Sequence, residues 1–287
     1  MPRDIASVML QDKLRLESAL GLDTQEARIE VQMLLQQALG VPRAWLLAHP
    51  EQMLEESQQA VYDAMLQRRL LGEPVAHILG EREFFGLSFK VTPATLIPRP
   101  DTELLVELAL QRIPLQGGFR LLDLGTGTGA IALSIAHARP DVEVVAVDAS
   151  EAALAVAREN AQRLALRNVS FVQSDWFAAL GGQRFDLIVS NPPYIAAGDE
   201  HLSQGDVRFE PMSALASGSD GLDDISRIIA QAHGFLERDG WLMLEHGYDQ
   251  AQQVKDLLLQ YGYSDVFSAK DIAGIERVSG GINSRIQ

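Results

Sequence analysis

The hydrophobic pattern of the chain changes period near residue 73 and settles into a third pattern after residue 98. From Thr24 to Gly40, apolar side chains fall at Ala27, Val31, Leu34, Leu35, Ala38 and Leu39, spaced so that they share one face of a helix. Thr24 reads as the N-cap of that helix, and Gly40 followed by Pro42 as its stop. Similar spacing covers Ile5 to Leu20 and Glu51 to Leu71, so residues 1–73 are expected to form a small helical bundle.

Residues 74–98 read as a linker. Apolar positions alternate from Phe85 to Thr92, the pattern of a strand with one buried face. Together with the apolar run Val75 to Leu79 before Gly80, this predicts a β-hairpin between two domains. Pro98, Pro100, Asp101 and Glu103 then open a helix, since proline is tolerated in a first turn and acids suit the positive end of the helix dipole.

Residues 99–287 alternate short apolar runs with helical segments. The runs are Arg120–Leu124, Val142–Val147, Val169–Val172, Phe185–Val189 and Trp241–Leu244, and helices such as Glu151–Leu164 lie between them. This βαβ series predicts an α/β domain: a mostly parallel sheet with helices on both faces and its ligand at the carboxyl ends of the strands.

Composition narrows the chemistry. At 287 residues with 47% hydrophobic side chains, the chain can bury a core in each of two domains. It has no cysteine, which excludes a disulfide scaffold, an iron–sulfur cluster, a thiolate zinc site and a cysteine nucleophile. The six histidines lack ligand-like spacing, so no metal site is expected. With 24 basic against 39 acidic residues the net charge is −15, and the longest basic run is Arg68-Arg69. Direct nucleic-acid binding is therefore not expected, because it needs clustered cations to neutralise phosphates. A membrane span and a signal-peptide core are both missing from the pattern, so the expectation is a cytoplasmic protein, and a monomer.

Three stretches at strand ends carry the candidate chemistry. Leu121–Leu124 runs into Gly125-Thr126-Gly127-Thr128-Gly129, where glycines permit a tight turn and let a ligand approach the backbone. The fingerprint also fits a dinucleotide site. Asp123 before it and Gly129 at the helix start give an arrangement that resembles the first motif of S-adenosylmethionine methyltransferases, where the acid would attract the ammonium of the cofactor. Asp148 ends the second strand, close to the roughly 20-residue offset from the first glycine at which an acid meets ribose hydroxyls. It could equally cap the next helix, although Ser150 is better placed for that. Asp175 and Trp176, after the third strand, could accept from an adenine amino group and cover its ring, or Trp176 could be core.

The most specific stretch is Asn191-Pro192-Pro193-Tyr194, directly after the fourth strand. Two prolines fix φ and remove two backbone donors, leaving carbonyl acceptors in a rigid turn. A planar NH₂ group is a poor nucleophile. If the Asn191 oxygen and the Pro192 carbonyl each accept one of its N–H bonds, its lone pair can be aimed at an electrophile. Tyr194 can stack on the planar group.

Asn191-Pro-Pro-Tyr194 resembles the signature of methyltransferases acting on nucleobase amino groups and on glutamine amides. Leu96-Ile-Pro-Arg-Pro-Asp-Thr-Glu103 and Asp206-Val-Arg-Phe-Glu-Pro211 narrow the likeness to the HemK/PrmC family of peptide chain release factor glutamine methyltransferases. The resemblance implies a Rossmann-like class I S-adenosylmethionine methyltransferase domain, mostly parallel with an antiparallel C-terminal strand, behind a helical bundle that contacts the release factor. It implies methylation of the glutamine N5 in the Gly-Gly-Gln loop of class 1 release factors. Gly125–Gly129, Asp148, Asp175, Trp176 and Asn191 would hold the cofactor, Asn191–Tyr194 the glutamine, and Arg99 and Glu103 would lie near the pocket.

Two other enzyme classes compete. An N6-adenine or N4-cytosine amino-methyltransferase would use the same Asn191 chemistry but must grip a phosphate backbone. A dinucleotide oxidoreductase would use the glycines and Asp148 but leave Asn191–Tyr194 without a task. A third reading is a helical interaction module on a vestigial fold, which would not need the full set of cofactor residues.

Overall fold

Helix α1 (Ile5–Leu20) starts where the Asp4 carboxylate accepts the Ser7 amide and stops at Gly21, whose φ of 69° closes the last turn. The structure, a computed structural model, describes residues 3–115 and 117–284. In α2 (Thr24–Leu39) the N-cap is Asp23, not Thr24. Its carboxylate takes the amides of Gln25 and Glu26 while Glu26 returns a bond to the Asp23 amide. Thr24 supplies the first helical residue instead, because the neighbouring carboxylate can accept two amides at once. Helices α3 (Arg43–Ala48), α4 (Glu56–Leu70) and α5 (Val75–Leu79) complete the series.

The apolar faces of these helices meet in a core that includes Ile5, Val8, Leu16, Val31, Leu34, Leu35 and Leu66. This unit runs to Glu81 and takes in Ser203–Phe209 from far along the chain. Arg69 fastens that segment. The buried guanidinium pairs with Glu30 at 2.7 Å and with Asp206 at 2.9 Å.

Val75–Leu79 is a helix, and the expectation of a strand there fails. A five-residue apolar run cannot be told from a buried helical turn by periodicity, but Pro74 before it and Gly80 after it, at φ 76°, are helix punctuation. The hairpin is made instead by β1 (Glu81–Phe84) and β2 (Leu87–Lys90), joined through Phe85 and Gly86 at φ 51° and 75°. Positive φ at both turn residues matches the right-handed twist of the strands. Phe84 and Phe89 are buried with Leu105 and Val106, and Asn160 clasps Lys90 through both its amide and its carbonyl.

The second unit comprises Arg82–Leu202 and the chain from Glu210 onward. Its sheet holds β3 (Phe119–Leu124), β4 (Val142–Asp148), β5 (Val169–Gln173), β6 (Phe185–Ser190), β7 (Leu236–Glu245), β8 (Tyr263–Lys270) and β9 (Glu276–Asn283). Their order is β5-β4-β3-β6-β7-β9-β8. The pairs from β5 to β7 are parallel, and β9 enters antiparallel between β7 and β8. Neighbouring side chains in one strand serve opposite faces. Leu121, Val144 and Leu187 enter one core, and Leu122, Val145 and Ile188 the other. Helices α6 (Glu103–Arg112), α7 (Ala130–Ala138), α8 (Glu151–Arg163), α9 (Asp223–Ala232) and α10 (Ala251–Gln260) cover the sheet. The strand order reverses at β3, which opens a crevice at the carboxyl ends of the strands.

Candidate active site

A cavity of about 330 Å³ occupies that crevice and is lined by Gly125–Thr128, Asp148, Ser174–Trp176, Asn191, Pro193, Thr102 and Arg99 among others. The volume is within the range of small-molecule sites. Its floor is the turn from β3 into α7, where Gly125, Gly127 and Gly129 all take positive φ, from 55° to 82°. At Gly129 a Cβ would come within 2.9 Å of Leu133 Cδ1 and 3.3 Å of Ala157 Cβ, so both conformation and space demand glycine.

Asp148 ties the floor to the end of β4. Its Oδ2 accepts the Gly127 amide at 2.9 Å and its Oδ1 the Ser150 amide at 2.9 Å. Ser150 itself caps α8 by accepting from Ala153. Burial raises the Asp148 pKa, against the pull of these backbone N–H groups. Each carboxylate oxygen keeps lone-pair capacity toward the cavity, which suits a pair of hydroxyl donors.

Asp123 does not face the cavity. It is fully buried; its Oδ2 accepts from the Thr126 hydroxyl at 2.6 Å, and burial pushes its pKa up to about 7. Asp123 is absent from the cavity lining and braces the loop through Thr126, with its Oδ1 left without a hydrogen-bond partner, so an attraction for a ligand's ammonium would act across the turn.

Trp176 forms one wall, with a backbone φ of 50° that a non-glycine residue rarely adopts. Its Nε1 donates to Asp224 at 3.2 Å, and the Ser174 hydroxyl donates to its carbonyl at 2.7 Å. The indole is therefore fixed in place over Gly125, whose Cβ would meet the ring at 3.4 Å. Asp175 lines the cavity too, with its carboxylate held by both Arg227 Nη atoms at 2.9 and 2.8 Å. An amino donor arriving there would share an already paired carboxylate.

Asn191 follows β6 and donates from Nδ2 to Thr102 Oγ1 at 3.2 Å. That leaves Oδ1 as the free acceptor of the side chain. Pro193 lines the cavity, while Pro192 is buried and Tyr194 half-buried behind it. The Tyr194 hydroxyl donates to Glu245 Oε1 at 3.4 Å, and burial holds its pKa well above the usual phenol range. Glu245, at the end of β7, is buried too, which pushes its carboxyl up to about 7.

Arg99 lines the cavity and pairs with the buried Glu210, whose second oxygen accepts the Ile97 amide at 2.8 Å. Glu103 is elsewhere. Its carboxylate accepts the Phe85 amide at 2.9 Å, so it fastens the hairpin turn to the start of α6 and does not line the cavity. Residues that pattern alone did not single out include Thr102, Asp224, Arg227 and Glu210. Their roles arise from loops meeting across the site; the one available signal was that Thr102 and Glu210 lie inside the two stretches that narrowed the family.

Among the described residues, no helix is long and apolar enough to cross a membrane. Residues 100–207 match the methyltransferase small domain and residues 14–80 the PrmC N-terminal domain. The chain is 51% identical over 259 residues to the release factor glutamine methyltransferase of Salmonella typhimurium, covering 90% of this chain and 93% of that protein. It is 53% identical over 255 residues to the enzyme so named in Bordetella pertussis, covering 88% and 94%. The match in Pseudomonas aeruginosa is 52% identical over 257 residues, covering 90% and 93%. A solved methyltransferase from Pyrococcus furiosus superimposes with a TM-score of 0.53 at 22% identity over 78% of this chain and 100% of that one, a likeness of fold.

Proposed function

This chain belongs to the release factor glutamine methyltransferase family, and from that premise we propose how its cavity carries out the family's reaction. The enzyme methylates a release factor glutamine on its side-chain amide nitrogen, with S-adenosylmethionine as the methyl donor. When bound, that cofactor supplies a sulfonium-activated methyl group.

The cavity's donors and acceptors fit the cofactor. Asp148 offers acceptor capacity for two ribose hydroxyls, Trp176 a fixed aromatic wall for adenine, and the amide-rich turn Gly125–Gly129 a backbone that can approach closely. The single observation that carries the substrate reading is Asn191: its Nδ2 is committed to Thr102, so its Oδ1 is the end that can accept from an incoming NH₂ group. Together with the Pro192 carbonyl it would hold both N–H bonds of the glutamine amide and turn the nitrogen lone pair toward the methyl carbon. Tyr194, tethered to Glu245, would back the amide plane.

The acceptor is the glutamine of the Gly-Gly-Gln loop in class 1 release factors, with the N-terminal helical unit as the release factor's docking element. The net charge of −15 favours a protein acceptor over a nucleic-acid one. The enzyme acts as a monomer, in the cytoplasm where translation factors work. The test is transfer of labelled methyl to purified release factor, to a Gln→Ala variant of its Gly-Gly-Gln loop, and to bulk DNA and RNA. Label should enter only the intact release factor. Label in nucleic acid would make the adenine or cytosine amino-methyltransferase the better reading.

A further inference from the structure

We infer that Asp224 is a positioning residue for the cofactor: it holds the Trp176 indole as the fixed wall against which adenine lies. The inference rests on the reading of Trp176 as that wall.

Trp176 is held at two points. Its backbone, at φ 50°, is fastened by Ser174, whose Oγ donates to the Trp176 carbonyl at 2.7 Å and accepts the Ala179 amide at 3.0 Å. That hold places Cα and leaves the two side-chain torsions of the indole to be set separately. The second point sets them, since Nε1 donates to Asp224 Oδ1 at 3.2 Å. An indole nitrogen only donates and a carboxylate oxygen accepts, so the direction of this bond follows from the groups themselves. The adjacent acid, Asp175, is engaged elsewhere, with both Arg227 Nη atoms on its carboxylate at 2.9 and 2.8 Å.

Asp224 is itself immobilised. Its Oδ2 accepts the hydroxyl of buried Ser217 at 2.7 Å, and the oxygen of that hydroxyl accepts the Asp224 amide at 2.9 Å. Ser217 donates its own amide to the Ile195 carbonyl at 2.9 Å, so the clasp is anchored on the chain that leaves Tyr194. A half-buried aromatic ring without such a tether can change rotamer, and a ligand stacking on it must then order it at a cost in affinity. Asp223 and Asp224 both lie in the first turn of α9, so the helix dipole would be served by Asp223 alone.

Titration calorimetry of S-adenosylmethionine on the full chain, with a melting temperature for each variant, tests the assignment as a double-mutant cycle. Asp224→Ala should raise the cofactor dissociation constant about 10-fold in the wild-type background, the scale of one lost hydrogen bond to a charged group. In the Trp176→Phe background, which keeps a ring and lacks the N–H donor, the same change should alter it by no more than about twofold. Asp224→Asn keeps an acceptor for the indole and removes the charge, so it should recover most of the affinity; an acid acting through the helix dipole would not be replaced that way. Equal effects of Asp224→Ala in the two backgrounds would mean that the carboxylate meets the cofactor itself or only supports the fold, and would overturn the inference. Failure of Asp224→Asn to recover affinity would overturn it too. Should Asp224→Ala fold poorly, Ser217→Ala, which releases Oδ2, is read through the same cycle. It should weaken binding about threefold with Trp176 in place and leave it unchanged in the Trp176→Phe background; loss in both backgrounds, or in neither, overturns the inference. Trp176→Ala separates the two claims. If it binds cofactor as wild type does, the reading of the adenine wall fails and the inference with it; if it binds weakly while Asp224→Ala binds normally, the positioning role alone fails.

Discussion

Asp148 Oδ2 accepts the Gly127 amide at 2.9 Å, so the acid that ends β4 and the glycine turn that follows β3 are one mechanical unit. The carboxylate shapes the cavity floor, and in the proposed site its remaining lone pairs would meet the ligand. Asp148→Ala should therefore weaken S-adenosylmethionine binding by at least about 10-fold, the scale of one lost charge-assisted hydrogen-bonding group. Titration calorimetry checks this. An unchanged dissociation constant would reduce Asp148 to a structural tie between loop and helix.

Gly129→Ala should cost stability and cofactor affinity together. A φ of 82° disfavours any side chain, and the new Cβ would press on Leu133 and Ala157. The expected loss is on the order of 1–3 kcal/mol, from left-handed backbone strain plus overpacking. Denaturant unfolding reads it, and Gly21→Ala is the control: its φ of 69° is similar but nothing lies within 4 Å, so it should cost less.

Glu245 should leave a mark on the pH dependence of stability. Burial, opposed by the Thr102 and Tyr194 hydroxyls, raises its pKa from 4.5 to about 7. A carboxyl raised in the folded state binds its proton more tightly there. The associated stability is fully present below the unfolded pKa and is lost as pH rises toward about 7. Wild type should thus lose more stability than Glu245→Gln between about pH 4.5 and about pH 7, by an amount on the order of 3 kcal/mol. Denaturant midpoints at both ends of that window measure the difference. Parallel curves for the two proteins would show that Glu245 does not titrate there.

Much of the site was legible because its parts are contiguous in sequence and sit at strand ends. Gly125–Gly129, Asp148 and Asn191 could each be found from a local motif behind an apolar run. Partnerships made across the sheet were not legible. Nothing in the spacing of Thr102, Asn191 and Glu245 says that β6 and β7 run side by side with α6 above them. Direction was lost too: Asp123 lies two residues before Gly125 but faces inward, and Glu103 turns to the hairpin while its neighbour Thr102 lines the cavity. In the fold, the parallel series was readable from buried apolar runs. Val75–Leu79 was misread because five apolar residues satisfy a strand and a helical turn equally well.

If the Asn191 oxygen holds the glutamine amide for methyl transfer, its loss should be read in single-turnover kinetics of Asn191→Ala with saturating release factor. The transfer rate should fall at least about 100-fold, the scale of removing a preorganised group that orients the nucleophile, with the fold intact. A transfer rate equal to that of wild type, in a variant that still melts and binds cofactor normally, would contradict it.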